Sequence, residues 1–121
     1  MRVSHKQQGG LAWVTDAVAD PAARVAVVAS ARHHARQIVA GLISVAATGQ
    51  RPKFYVTRWM LRYPNGAEVR FYFDADEMRG TQHHAAWLAA ISGRSRVAEQ
   101  ALLGLRLGRW PRALFTEDAC S

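Results

Sequence analysis

Arginine is the residue on which most of this sequence's chemistry would have to run. Sixteen Lys and Arg oppose nine Asp and Glu, a net charge of +7, and nearly all of the positive charge is arginine. Such a balance suits a polyanion, whose phosphates are contacted with release of counterions. It serves equally as a plain solubilising surface. Arg94, Arg96, Arg106 and Arg109 form the densest groups. If the two segments carrying them meet at one end of the fold, they make a patch that binds double-stranded DNA through phosphates, without base-reading residues.

Other reactive side chains promise less. Asp74, Asp76 and Glu77 cluster three carboxylates on what reads as a solvated surface turn. His33-His34 and His83-His84 are adjacent pairs. Neighbours point to opposite faces of a strand, or diverge by about 100° on a helix, so neither pair chelates by itself. Cys120 is the lone cysteine, and no HExxH spacing occurs, so the expectation is no metal site and no disulfide framework. No Ser/His/Asp order suggests a nucleophile.

The elements that would position these residues alternate in type. Leu11, Val14 and Val18 share a stripe with Trp13 beside it, which predicts a short helix over 10–19, stopped near Asp20-Pro21. Arg24 to Ala29 is a nearly unbroken β-branched run, the pattern of a strand buried on both faces of a parallel sheet. Ser30 is placed to cap a helix over 31–47, with Ile38, Leu42, Ile43 and Ala46 inward and Gly49 at its end. Two apolar runs, about 55–62 and 67–73, flank Pro64-Asn65-Gly66, where Asn-Gly offers the positive φ angles of a tight hairpin turn. Arg62, Glu68 and Arg70 alternate with apolar neighbours, as on a ribbon with one wet face. Residues 84–91 predict another buried strand, 95–107 a helix, and 111–115 a last strand. Helices alternating with buried strands argue for a layered α/β sheet in one domain. No apolar run reaches the ~20 residues of a membrane span, and the N-terminus lacks the apolar core of a signal peptide, so the chain reads as cytoplasmic, with no membrane partner.

The order around 59–91 closely resembles the ATPase domain of the large subunit of phage terminases, the motors that pump DNA into capsids. Pro64-Asn65-Gly66-Ala67, the acidic stretch Asp74 to Glu77, Arg79-Gly80, and an apolar strand through Trp87 follow one another as in that family. The match extends to both ends. Ala98 to Thr116 resembles the helix and strand that lead there into a threonine-rich coupling motif, of which Thr116 remains. Lys6, Gly10, Trp13 and Val14 stand at the spacings of the P-loop lysine and the helix behind it.

What the resemblance implies is a P-loop NTPase-like layered sheet with flanking helices and an inserted β-hairpin, incomplete, with the nuclease domain absent. It also implies a nucleotide site whose motifs are degenerate here. Val3 and His5 replace glycines whose positive φ turns backbone N–H groups onto phosphates, and Gln7 replaces the hydroxyl residue that holds Mg²⁺. The family's paired Walker B carboxylates fall on Ala89 and Ala90, which can neither hold the metal nor activate water. Lys6, Gln7 and Gly10 would be the remnant of the nucleotide-binding loop, and Lys6 reads equally as a flexible N-terminal lysine. Arg79 corresponds to an arginine thought to reach a neighbouring subunit's nucleotide as a trans finger, and reads equally as an exposed turn residue. The family uses ATP and Mg²⁺; in this copy no cofactor is expected. The expected partners are double-stranded DNA and terminase subunits, or a second copy of the chain, inside a bacterial host. The expected role is linked to viral DNA packaging without ATP hydrolysis by this chain alone. The alternatives are a non-enzymatic module that binds DNA or joins a terminase ring, a residual ATPase completed by a separate polypeptide, and a decayed prophage fragment.

Overall fold

The computed structural model describes residues 5–78, 82–89, 96, 100–101, 105 and 112–116. The β-branched run forms β1 (Arg24–Val28), which lies inside a six-stranded sheet because neither of its faces is polar. The other strands are β2 (Lys53–Tyr55), β3 (Met60–Arg62), β4 (Glu68–Tyr72), β5 (Ala85–Ala89) and β6 (Arg112–Thr116). Their spatial order is β2-β3-β4-β1-β5-β6. β1 pairs in parallel with both β4 and β5, and β6 in parallel with β5, whereas β2-β3-β4 is an antiparallel meander. This is the layered α/β class expected.

One face of the sheet is covered by α1 (His5–Ala17) and α2 (Arg32–Val45). Leu11, Val14 and Val18 meet Ile38, Val39, Leu42 and the inward side chains Val25, Val27, Val69 and Trp87, and this is the larger core. Alternate residues of the same strands, Ala26, Val28, Ala86 and Leu88, face the other side, where Met78 and Ala101 cover them. No helix among the described residues is long and apolar enough to cross a membrane.

Several local expectations are corrected. The first helix begins at His5, five residues earlier than its apolar stripe suggests. The second begins one residue late for Ser30: Ala31 is the N-cap, with no side-chain bond, and the Ser30 hydroxyl lies 3.4 Å from His34 Nδ1 instead. The strand expected over 55–62 is itself a hairpin. A 3₁₀ turn (Val56–Arg58) and Trp59, at φ 47, fold β2 back onto β3. Trp59 tolerates this left-handed backbone because its ring is fixed edge-on by Phe54, Phe71 and Phe73. In the second hairpin only Gly66 takes a positive φ (100°). The Gly66 N–H donates to Tyr63 O, and the Asn65 amide donates to Val18 O, which ties the turn to the end of the first helix. Of the helix expected over 95–107, residues 96, 100 and 101 are helical, residue 105 is not, and the rest lies outside the described residues.

Candidate functional site

Open α/β sheets bind ligands at the C-terminal ends of their parallel strands. Here β1, β4, β5 and β6 all run toward one edge. Register places Ala89, the last residue of β5, directly beside Thr116, the last residue of β6. Helix α1 reaches the same edge. Its C-terminal end is held near the start of β1 by Asn65, and it packs back across β5 and β6. Midway, Gly10 lies against the Trp87 indole. Lys6 and Gln7, in the first turn, therefore lie about 6 Å further along the axis, toward Ala89 and Thr116. Five of the residues singled out in the sequence, Lys6, Gln7, Gly10, Ala89 and Thr116, thus belong to two helix turns and two adjacent strand ends of one edge.

What this edge offers chemically is limited. Ala89 is 1 % exposed and presents a methyl group where the terminase resemblance places a carboxylate. No group of three or more His, Cys, Asp or Glu able to hold a metal occurs among the described residues. Among the described residues, the end of β5 offers no carboxylate. Arg79, Ala90, Arg94, Arg106 and Arg109 lie outside the described residues; Arg96 is helical and exposed.

The carboxylate cluster has a structural occupation. Asp74 Oδ1 accepts from the Glu77 N–H (2.9 Å) and Glu77 Oε2 accepts from the Phe73 N–H (2.8 Å). This reciprocal pair caps the short helix α3 (Ala75–Met78). The histidines are separated as expected. His83 is buried, and its Nε2–H donates to Ala101 O at 2.7 Å. Burial pushes the imidazole below its ordinary pKa. His84 instead continues the strand ladder with its ring: Nδ1 accepts from the Arg24 N–H at 2.9 Å.

A second polar centre lies at the opposite end of the strands, on the face away from α1 and α2. Glu68 Oε1 accepts from Arg62 Nη2 at 2.8 Å, and Oε2 stands 3.6 Å from Arg24 Nε and 3.8 Å from Arg70 Nε. Burial raises the Glu68 pKa, but the Arg62 hydrogen bond and the three neighbouring charges outweigh it and hold the carboxyl below its ordinary value. The alternation of Arg62, Glu68 and Arg70 marks this wet face in the sequence. Arg24 joins it only through the β1–β4 pairing, which no local pattern reveals.

Comparison with known proteins agrees with the architecture. The chain shares the fold of the large terminase from a thermophilic bacteriophage, solved in complex with ADP, at a TM-score of 0.64 and 13% sequence identity. The likeness covers 90% of this chain and 29% of that one, so the chain spans less than a third of the terminase's length. No protein-family model and no curated protein matches the sequence.

Proposed function

We propose that this chain is a terminase large-subunit-like domain, linked to packaging of viral DNA in the bacterial host, that does not hydrolyse ATP by itself. The likeness to a phage large terminase supports the link to packaging. One observation carries the silence of the site: the end of β5, in register with Thr116, is a buried alanine. Without a carboxylate there, neither metal binding nor activation of water has a group to act through, and each such group typically contributes about 10²-fold or more. On this reading, and by the sequence resemblance, Lys6 and Gln7 would be the remnant of a nucleotide-binding turn, Thr116 a coupling residue, and Arg79 a finger serving a neighbouring subunit's nucleotide. Calorimetric titration with ATP and Mg²⁺, paired with a phosphate-release assay, tests this. The expected result is binding weaker than millimolar and no turnover above background. Micromolar binding, or turnover near about one per second, overturns it.

A second reading, a non-enzymatic module that joins a terminase ring or its own copies, is favoured by β6. Among the described residues β6 is the terminal strand of the sheet, paired on one side alone. A parallel strand with an open edge is a template for another strand. Sedimentation velocity is expected to show oligomers at micromolar concentration; a sharply melting monomer argues against this reading.

A further inference from the structure

The register of four strands builds a row of charge across the open face of the sheet. Lys53 opposes Arg62, Arg62 opposes Glu68, and Glu68 is the parallel partner of Arg24. Residues in register share a face, so the four side chains emerge in one line across β2, β3, β4 and β1, about 14 Å long at the usual strand spacing. Arg70 stands one pleat behind, on the same face. Three of these four cations, Arg24, Arg62 and Arg70, flank one carboxylate, and Lys53 extends the row beyond Arg62.

These cations are exposed, although Arg24 Nη1 also donates to Ala23 O at 2.9 Å and to Gly66 O at 3.3 Å. The side chains of Arg24, Arg62 and Arg70 are 41%, 51% and 57% exposed, while Glu68, at 11%, sits beneath them. The Lys53 ammonium lies over the Tyr55 ring, 5.4 Å from its centroid. Behind the row a cleft of about 300 Å³ opens between Arg24, Glu68, Arg70, Tyr72, Gln82 and His83. Three ion pairs converge on a single acid, so Glu68 orients the guanidinium groups and offsets only one of their three charges.

We infer that this row is a docking surface for the phosphate backbone of nucleic acid, contacted without regard to base sequence. A row with an excess of exposed cations over its one recessed carboxylate, with no exposed large apolar side chain in it, matches a regularly charged polymer. A protein partner would need an apolar core to its interface, which the row lacks. Each DNA strand advances about 3.4 Å per phosphate along the axis, so the row spans about four phosphates. The inference rests on the packaging reading for the choice of double-stranded DNA as the probe.

The test is fluorescence anisotropy of the full chain on random-sequence duplexes at several salt concentrations. The wild type is expected to bind in the range of about 10⁻⁴–10⁻⁶ M, with affinity falling steeply as salt rises. The double variant Lys53→Gln/Arg70→Gln leaves the Arg62–Glu68 bond intact and is expected to fold, which circular dichroism checks. It should lower the slope of log K against log salt by about 1.8, from two contacts at about 0.9 each. Arg36→Gln, on the α2 side of the sheet, should leave the slope unchanged. If Arg24 and Arg62 must be removed as well, Glu68→Gln is made with them so that no carboxylate is stranded. DNA binding with an unaltered slope in both row variants overturns the inference while leaving the packaging reading standing. Equal affinity for poly-L-glutamate reassigns the row to an acidic protein and overturns it too. Absence of any DNA binding at low salt also overturns it; the ATP titration judges the silent-domain reading separately.

Discussion

Trp87 lies so close to Gly10 that a Cβ on residue 10 would stand 2.1 Å from Cζ2 of the indole. Gly10 therefore has a packing duty that its spacing from Lys6 does not disclose. It lets α1 settle directly onto β5, and the ring fills the space a side chain would take. A second close approach holds α1 to α2 in the same way: a Cβ on Gly41 would stand 2.7 Å from Leu11 Cδ1. Between them, the two glycines set how α1 lies over the sheet, and hence where its first turn arrives.

Gly10→Ala is accordingly expected to destabilise the fold. Trp87 is fully buried, so the ring cannot swing into solvent, and either helix or strand must move. Overpacking of this kind costs about 1–3 kcal/mol, more than the alanine gains in helix propensity. Urea denaturation followed by Trp fluorescence measures it. A neutral or stabilising effect would show that α1 is held less tightly than the packing implies.

Tyr63 is buried beside the second hairpin, and its hydroxyl has no hydrogen-bond partner among the described residues. Burial pushes its pKa up to about 12. An acid whose folded pKa is raised contributes stability below its unfolded value and loses it as pH climbs through the folded one. Stability should therefore decline between about pH 10 and pH 12. Tyr63→Phe should remove that part of the decline and raise stability at neutral pH by up to about 1 kcal/mol, because an unpaired polar group leaves the interior. Chemical denaturation of both proteins at pH 7 and pH 11 compares them.

Glu68 acts in the other direction. Its folded pKa lies below the unfolded value, so its contribution is present above the ordinary carboxylate range and is lost as pH falls through and below it. Because its arginine partners are exposed, that contribution is on the order of 1 kcal/mol. The midpoint of urea unfolding should drop as pH is lowered from 6 toward 3. Glu68→Gln should be less stable at pH 6 and show a shallower fall; an identical pH dependence in the variant would mean that the three arginines do not act on this carboxylate.

Restoring Ala89→Asp and Ala90→Glu together is expected to leave phosphate release at background. Residue 89 is enclosed in the described fold, and the turn at Lys6 still lacks the glycines that would direct backbone N–H groups to phosphate. Hydrolysis from this double variant alone would show that the N-terminal turn cradles phosphate as it stands.

The elements differ in how openly the sequence declares them. β1, β5 and the 60–72 ribbon are announced by composition and alternation, because burial on two faces or one leaves a direct mark on residue type. Trp59 is the counterexample. No glycine or proline marks the reversal at 56–59, and the turn exists because three aromatic rings pack around that of the left-handed residue Trp59, a tertiary fact. Ala89 is readable as a strand end, yet its neighbour Thr116 lies 27 residues away and is brought beside it by parallel pairing alone. The row Lys53–Arg62–Glu68–Arg24 fails to announce itself for the same reason: Arg62 and Glu68 are local, but Arg24 comes from a strand 44 residues earlier.

That distance has a bearing on how the chain is made. β1 leaves the ribosome with both hydrogen-bonding edges unpaired, since its partners begin at Glu68 and Ala85. At ordinary elongation rates of about 5–20 residues per second, its second partner emerges about 3–11 s later. For that interval Val25, Ala26, Val27 and Val28 are an apolar segment with open edges on a nascent chain. Synthesis in the cell therefore includes a window in which a chaperone, or another nascent copy, can compete with β5 for this strand.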